Sequence, residues 1–342
     1  FRSLSRRGSW VRIPPPALSS KPHFIILYAS KIVAKEYKMS KISLEIMKLI
    51  TKRRKEPSLA FGGQAVIEGV MIRSKKHMVI CVRQPNNEIF TKIEEIKSVS
   101  ERYKVLRLPL LRGVVALFET LYLGVKGLYF SASASLEEGE EIKPQEMAIA
   151  IAIALGLAIL LFTVIPFLLT TFFNLRGVVF NVVEGAVRLS IFLLFLALMA
   201  VVRDLKRVFQ YHGAEHMAIN AYEAGVELDV KNAKRFSRFH PRCGTSFILI
   251  VTLISILLFS IMPNFGFFTR LAYRIVLIPV IGSISYEVLK LSDRYKGSKI
   301  MKILILPGLG VQHLTTRKPD EDMITVALKA VKEANTLVQK SQ

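Results

Sequence analysis

The sequence predicts an α-helical membrane protein with four transmembrane helices in two hairpins, a small cytoplasmic α+β portion and an interfacial helix. Three observations predict it. Residues 147–173 carry no charge, and the apolar stretches 178–202, 246–262 and 271–289 approach the length of about 20 residues that a bilayer core demands. The connections 174–177 and 263–268 are tight, so the four stretches pair as two hairpins. Basic residues crowd 203–245 and the segment after 289, which by the positive-inside rule makes both regions, and both termini, cytoplasmic.

Each element follows in order. Residues 1–38 read as a non-native upstream extension, because Val11-Arg12-Ile13-Pro14 is a translation of a tRNA T-arm; Met39 or Met47 is then the expected start. A basic leader is the alternative reading. Residues 39–60 form a basic amphipathic amino terminus ending in Lys52-Arg53-Arg54-Lys55, suited to a membrane surface. Within 61–105, β-branched and apolar runs separated by Pro85-Asn86-Asn87 predict a meander of three strands. It opens on Gly62, Gly63 and Gly69 around Gln64 and Glu68, glycines that let a backbone approach something closely or end a strand tightly.

Segment 106–130 is apolar, but Arg112, Glu119 and Lys126 recur every seven residues and form one polar stripe. Pro109 suits the first turn of such a helix. Were it to span, the basic amino terminus and the basic 203–245 loop could not both be cytoplasmic, so it is expected to be interfacial or re-entrant. An acidic loop, 137–141, separates it from the first hairpin, 147–202. The cytoplasmic loop 203–245 begins as a helix continuing the second span to Gly225. The second hairpin, 246–289, precedes a cytoplasmic tail, 290–342, with a strand at 302–306 and a final amphipathic helix from Asp320 to about Val338.

Composition narrows the function. The 342 residues are 51% hydrophobic with a net charge of +22; without 1–38, which holds eight basic residues and one acidic, the charge is still +15. On such a chain the basic excess predicts contact with the lipid bilayer and anionic lipid head groups. No nucleic-acid motif is present, so nucleic acid is not an expected partner. The two cysteines make no disulfide framework, which suits a reducing compartment.

The chemistry concentrates in 203–245. His212, Glu215 and His216 fall at i, i+3 and i+4, one face of one helical turn. Two imidazoles four apart make a bidentate site for a divalent transition metal, and the carboxylate beside them can move a proton. His-x-x-Glu-His is also the spelling of the inverted zincin motif. His240 and Cys243 follow, so three of the six histidines and one of the two cysteines lie between 212 and 243. His212, His216 and Cys243 are the expected ligands, with His240 in reserve because Pro241 biases it to an extended backbone. Thiolate with imidazole favours zinc or iron over magnesium, and zinc is the expected ion. Three protein ligands would leave an open position where Glu215 activates water; four would make a closed structural site. Glu287 occupies the place of an inverted zincin's distant third ligand. Thr245 and Ser246 are expected to cap the third span. Glu68, Arg73, Arg112, Glu119 and His313 are polar residues in apolar or glycine-rich surroundings, expected to be paired or to share the pocket of His212.

Gly62-Gly63-Gln64-Ala65-Val66-Ile67-Glu68-Gly69-Val70-Met71, Arg112-Gly113, Tyr211-His212-Gly213-Ala214-Glu215-His216, His240-Pro241-Arg242-Cys243-Gly244-Thr245-Ser246-Phe247 and Gln312-His313-Leu314-Thr315-Thr316 resemble the YqhQ-like family of bacterial membrane proteins, from about Ser58 onward. That family is described as a domain of unknown function and as predicted metal-dependent enzymes. The resemblance implies a multi-pass protein of the bacterial inner membrane with a metal, and supplies no substrate. Two function classes lead: a metal-dependent enzyme, a hydrolase, at the cytoplasmic membrane face, or a non-enzymatic membrane factor that assists a membrane-protein partner. A transporter ranks below them, because the sequence shows no paired intramembrane charges and no broken helices.

Overall fold

A computed structural model describes residues 2–4, 10–12, 61–136, 142–261, 265–294 and 299–340. The chain divides into two units, Phe1–Ser58 and Leu59–Gln342. In the first, Arg2–Leu4 pairs antiparallel with Trp10–Arg12. The predicted amphipathic segment 39–60 and the acidic loop 137–141 lie outside the described residues.

The second unit begins with a meander of four strands, not three: β1 (Gly62–Val66), β2 (Gly69–Arg73), β3 (His77–Arg83) and β4 (Ile89–Glu95), in that order and antiparallel throughout. The fourth strand arises because 62–73 is a hairpin rather than one strand. Its two-residue turn puts Glu68 at φ +50°, and Asn87 turns β3 into β4 at φ +67°. β2 and β3 are covered on both faces, which is why they read as continuous apolar runs rather than alternating ones. Val70, Ile72, Val79 and Cys81 face one core; Met71, Met78, Ile80 and Val82 face another.

Helix α1 (Leu111–Ala134) covers the second face with Leu123. It starts beyond Pro109, which precedes the amino-terminal cap at Leu110 rather than occupying the first turn. The predicted polar stripe faces protein along its length. Arg112 bonds Glu287 at 2.6 Å through Nε, Glu119 holds Arg73 at 3.1 Å, and Lys126 pairs with Glu94.

The apolar helices follow. α2 is Pro144–Ile159, a π turn Leu160–Val164 and Ile165–Thr171; α3 is Gly177–Met199. α3 does not run on into the next helix. The chain turns at Ala200–Val202, and α4 (Arg203–Glu223) starts afresh before stopping at Gly225, φ +70°. α5 is Gly244–Ser260, and α6 (Phe267–Val276) meets α7 (Ile278–Arg294). Those two form a pair bent by 45°, with Pro279 unable to donate back across the break. Among the described residues three helices, α1, α2 and α3, are long and apolar enough to cross a membrane, or four if the bent pair is one span; α5, with 17 residues, is shorter. These apolar helices place the protein in a lipid environment.

The predicted strand at 302–306 is helical. α8 (Lys299–Thr315) runs through it and carries Pro307 inside. A short apolar run fits strand or helix equally well by pattern. Its neighbour decides, for α8 packs along α5, with Gly308 pressed on Ser246. The last helix, α9 (Glu321–Lys340), is where the sequence puts it and lays its apolar face on α4, β2 and β3.

Charges do pair among the apolar helices, contrary to the sequence argument against transport. Glu184 on α3 accepts from Arg188 at 2.7 Å and from Arg274 on α6 at 2.5–3.0 Å. Pro166 has no N–H to give the carbonyl of Phe162, and Arg188 Nε takes it at 2.8 Å instead.

Candidate metal centre

α4 supplies both histidines on the face turned to α8 and to the loop before α5. Gly213 lets that face close: a methyl there would strike the backbone carbonyl of Arg317. His212 Nδ1 lies 2.8 Å from the carbonyl oxygen of Thr315, and His216 Nδ1 lies 2.6 Å from that of Arg238. A carbonyl only accepts, so each Nδ1 carries the proton and each Nε2 keeps its lone pair. Cys243 Sγ sits 3.3 Å from His212 Nε2. One nitrogen from each histidine and this sulfur lie within 4.8 Å of one another.

The loop that returns Cys243 to α4 is fixed by one side chain. Gln312, fully buried on α8, accepts from His240 N at 2.9 Å and donates to His240 O at 2.8 Å. Cys243 itself is the residue preceding the first turn of α5. Thr245 and Ser246 lie inside that turn and do not cap it: Thr245 Oγ1 donates to Cys243 Sγ at 3.3 Å. Ser246 Oγ on α5 and Thr315 Oγ1 at the end of α8 are buried without a hydrogen-bond partner among the described residues.

Glu215 is buried, its Oε2 3.6 Å from His216 Nε2. Burial raises its carboxyl above the usual range, against the lowering pull of His212, His240 and Arg242. Burial likewise holds the His216 imidazole below the usual histidine range. Gly63 on β1 lies against this carboxyl so closely that a methyl there would overlap it, so the glycine-rich strand is indeed bent close to something.

The structure thus unites His212, His216 and Cys243, with Glu215 alongside. His240 is buried next to them, its ring 5.7 Å from that of His216. The other candidates pair elsewhere. Glu287 is held by Arg112. Arg73 and Glu119 bind each other, and Glu119 also accepts from Ser98 at 2.7 Å. Glu68 takes two bonds of 2.5 Å from Arg207 and one of 3.3 Å from Tyr211, the residue before His212. His313 rests on Phe239. Sequence reasoning missed Gln312 and Thr315. A helical reading of 302–316 would have put Gln312, Thr315 and Thr316 on one face.

A family model described as "Protein of unknown function (DUF1385)" matches residues 108–337. "Uncharacterized protein YqhQ" of Bacillus subtilis (strain 168) is 34% identical over 295 residues, covering 80% of this chain and 92% of that protein. No solved structure matches. The family model spans the four apolar stretches and the His212 loop, and the relative covers four fifths of the chain, so the chain belongs to the YqhQ-like DUF1385 family.

Proposed function

We propose that this is a membrane protein whose cytoplasmic-face centre holds one divalent transition metal, zinc by its donor set, for hydrolytic chemistry. The observation that carries the reading is the pair of Nδ1–carbonyl bonds, which leave both Nε2 atoms for a ligand's part, that of His212 3.3 Å from Cys243 Sγ. Backbone carbonyls that fix a histidine's tautomer through its other ring nitrogen are the usual companions of a metal ligand. His212, His216 and Cys243 would hold the ion; bound, it would supply a Lewis acid and an acidified water. Glu215 keeps a carboxyl beside that position in a water-poor pocket, placed to take and return a proton. A cation would also offset the cost of burying that carboxylate.

The topology we infer is four spans in two hairpins. β1 touches α4, through Phe61 with Tyr222 and Glu68 with Arg207. The chain between them therefore crosses the membrane an even number of times. Of the three helices in that interval, α2 and α3 have mean hydropathies of 2.9 and 2.1, and α1 only 1.3. Hence α2 and α3 cross and α1 stays on the sheet side, interfacial. α9 packs on α4, so α5 and the bent pair α6–α7 cross as the second hairpin. The basic 203–245 loop makes the sheet side cytoplasmic, at the bacterial cell membrane.

Metal analysis of the purified protein tests the centre: one zinc per chain is expected, and none in His212→Ala. Wild-type protein without stoichiometric metal would end the reading. A second reading, a structural metal in a non-enzymatic membrane factor, draws on the burial of Glu215, His216, His240 and Cys243. Cobalt substitution separates the two. An open site changes its visible spectrum on adding acetohydroxamate, whereas a closed one does not.

A further inference from the structure

We propose that the centre's partner is an extended polypeptide segment, added as a further strand to the outer edge of β1. The inference rests on the reading of the His212 cluster as the functional site and names what that site receives.

β1 is a terminal strand of the sheet. Val66 pairs with Gly69 across a two-residue turn, so that pair exchanges both ladder bonds, and by alternation so do Gln64 with Met71 and Gly62 with Arg73. The N–H and C=O of Gly63 and Ala65 therefore point outward. Among the described residues no backbone group bonds them. Gly62 and Gly63 are exposed, with nothing within 4 Å of a methyl placed on Gly62.

The two edges of the sheet differ in protection. β4, at the far side, carries Lys92, Glu94 and Glu95, the charges by which exposed edges ordinarily resist pairing. β1, Gly-Gly-Gln-Ala-Val, has no charge and no proline. Among the described residues, it is the edge beside the centre that is left open. Ala65 packs into the core under α4, and Val66 into the core under α1, so the edge opens between those helices. Gly63 touches the carboxyl of Glu215, whose other oxygen is 3.6 Å from His216. A chain paired to Gly63 would run past Glu215. Extended polypeptide is the ligand whose N–H and C=O groups repeat every second residue, at the spacing of Gly63 and Ala65.

The test uses the full chain in lipid nanodiscs and a fluorescein-labelled decapeptide of alternating Thr and Val flanked by lysines. Its comparison is the same peptide N-methylated at alternate residues. Ala65→Pro removes one outward N–H at an edge, where proline is tolerated. Binding at least tenfold weaker is expected for Ala65→Pro and for the methylated peptide, with zinc content unchanged. Peptide should also slow hydrogen exchange of the outward Gly63 and Ala65 amides in the unaltered protein, a readout that needs no variant to fold. Affinity indifferent to both N-methylation and Ala65→Pro overturns the proposal. So do Gly63 and Ala65 amides already protected before peptide is added, which would show the chain's own 39–60 segment on the edge. Peptide binding that depends on the Ala65 N–H in a zinc-free protein sustains this inference and removes only the metal.

Discussion

Two buried polar clusters in this protein have opposite characters. Around Glu184, each guanidinium is spoken for. Arg188 gives its nitrogens to Phe162 O, Ser255 Oγ and Glu184, and Arg274 gives its own to Glu184, Asn181 and Arg270 O. The network ties α2, α3, α5 and α6 together, and it repairs the carbonyl that Pro166 orphaned. Around His212 the accounting is reversed. One nitrogen of each imidazole and a sulfur lie within 4.8 Å of one another, and the hydroxyls of Ser246 and Thr315, on the adjoining helices, have no partner among the described residues. Burial alone therefore does not mark a site. Satisfied polar groups rigidify a fold, whereas convergent unsatisfied ones wait for a ligand.

The largest effect that would sharpen this contrast is expected from Glu184→Gln. It leaves two buried arginines without their counter-charge, which costs about 3–5 kcal/mol when a buried pair is broken. The apparent melting temperature should fall steeply, while zinc per folded chain stays at one. A variant that melts like wild type would show the network to be no staple.

His212→Ala should do the converse. Zinc falls from one per chain to near zero, and the melting temperature of the metal-free protein barely moves. If the metal-free protein loses stability as heavily as Glu184→Gln, the histidines are structural polar groups and the contrast collapses.

Gln312→Leu is intermediate. It removes the side chain that bonds both the N–H and the C=O of His240, costing about 1–3 kcal/mol, and loosens the loop that presents Cys243. Zinc affinity in a competition titration should drop about 10-fold to 100-fold, the usual consequence of removing the groups that hold a ligand in place.

The smallest effect separates the two cysteines. Burial pushes the Cys81 thiol up from 9.0 to about 11, partly offset by its bond with Thr91. Between those values the unfolded thiol ionises and the folded one does not, so stability is intact below pH 9 and declines as pH rises toward 11. Cys81→Ala should flatten that decline in denaturant melts. At pH 8, iodoacetamide should modify Cys243 once zinc is chelated and leave Cys81 untouched. Labelling of Cys81 in the folded protein would contradict its burial.

What could be read from residues alone was what neighbouring residues settle among themselves. His212, Glu215 and His216 share a turn because helical pitch puts i, i+3 and i+4 together, whatever surrounds them. The charge-free 147–173 run and the basic 203–245 loop carry their meaning in composition, since a bilayer responds to length and charge. The seven-residue stripe of Arg112, Glu119 and Lys126 was visible in the same way, although which groups it met was not. Tertiary structure decided the rest, wherever a residue's role depends on a distant surface. Residues 302–306 are helical because α5 offers Ser246 to Gly308, and a run of five apolar residues holds no information about that neighbour. Cys243 reaches His212 only because Gln312, about seventy residues on, pins the backbone of His240. Glu68, Arg73, Glu119 and Glu287 looked like one pocket and became separate ion pairs, because a charge pairs with the nearest opposite charge that folding brings to it. Gly63 needed its glycine for a carboxyl 152 positions away, and only the packing of β1 on α4 could show it.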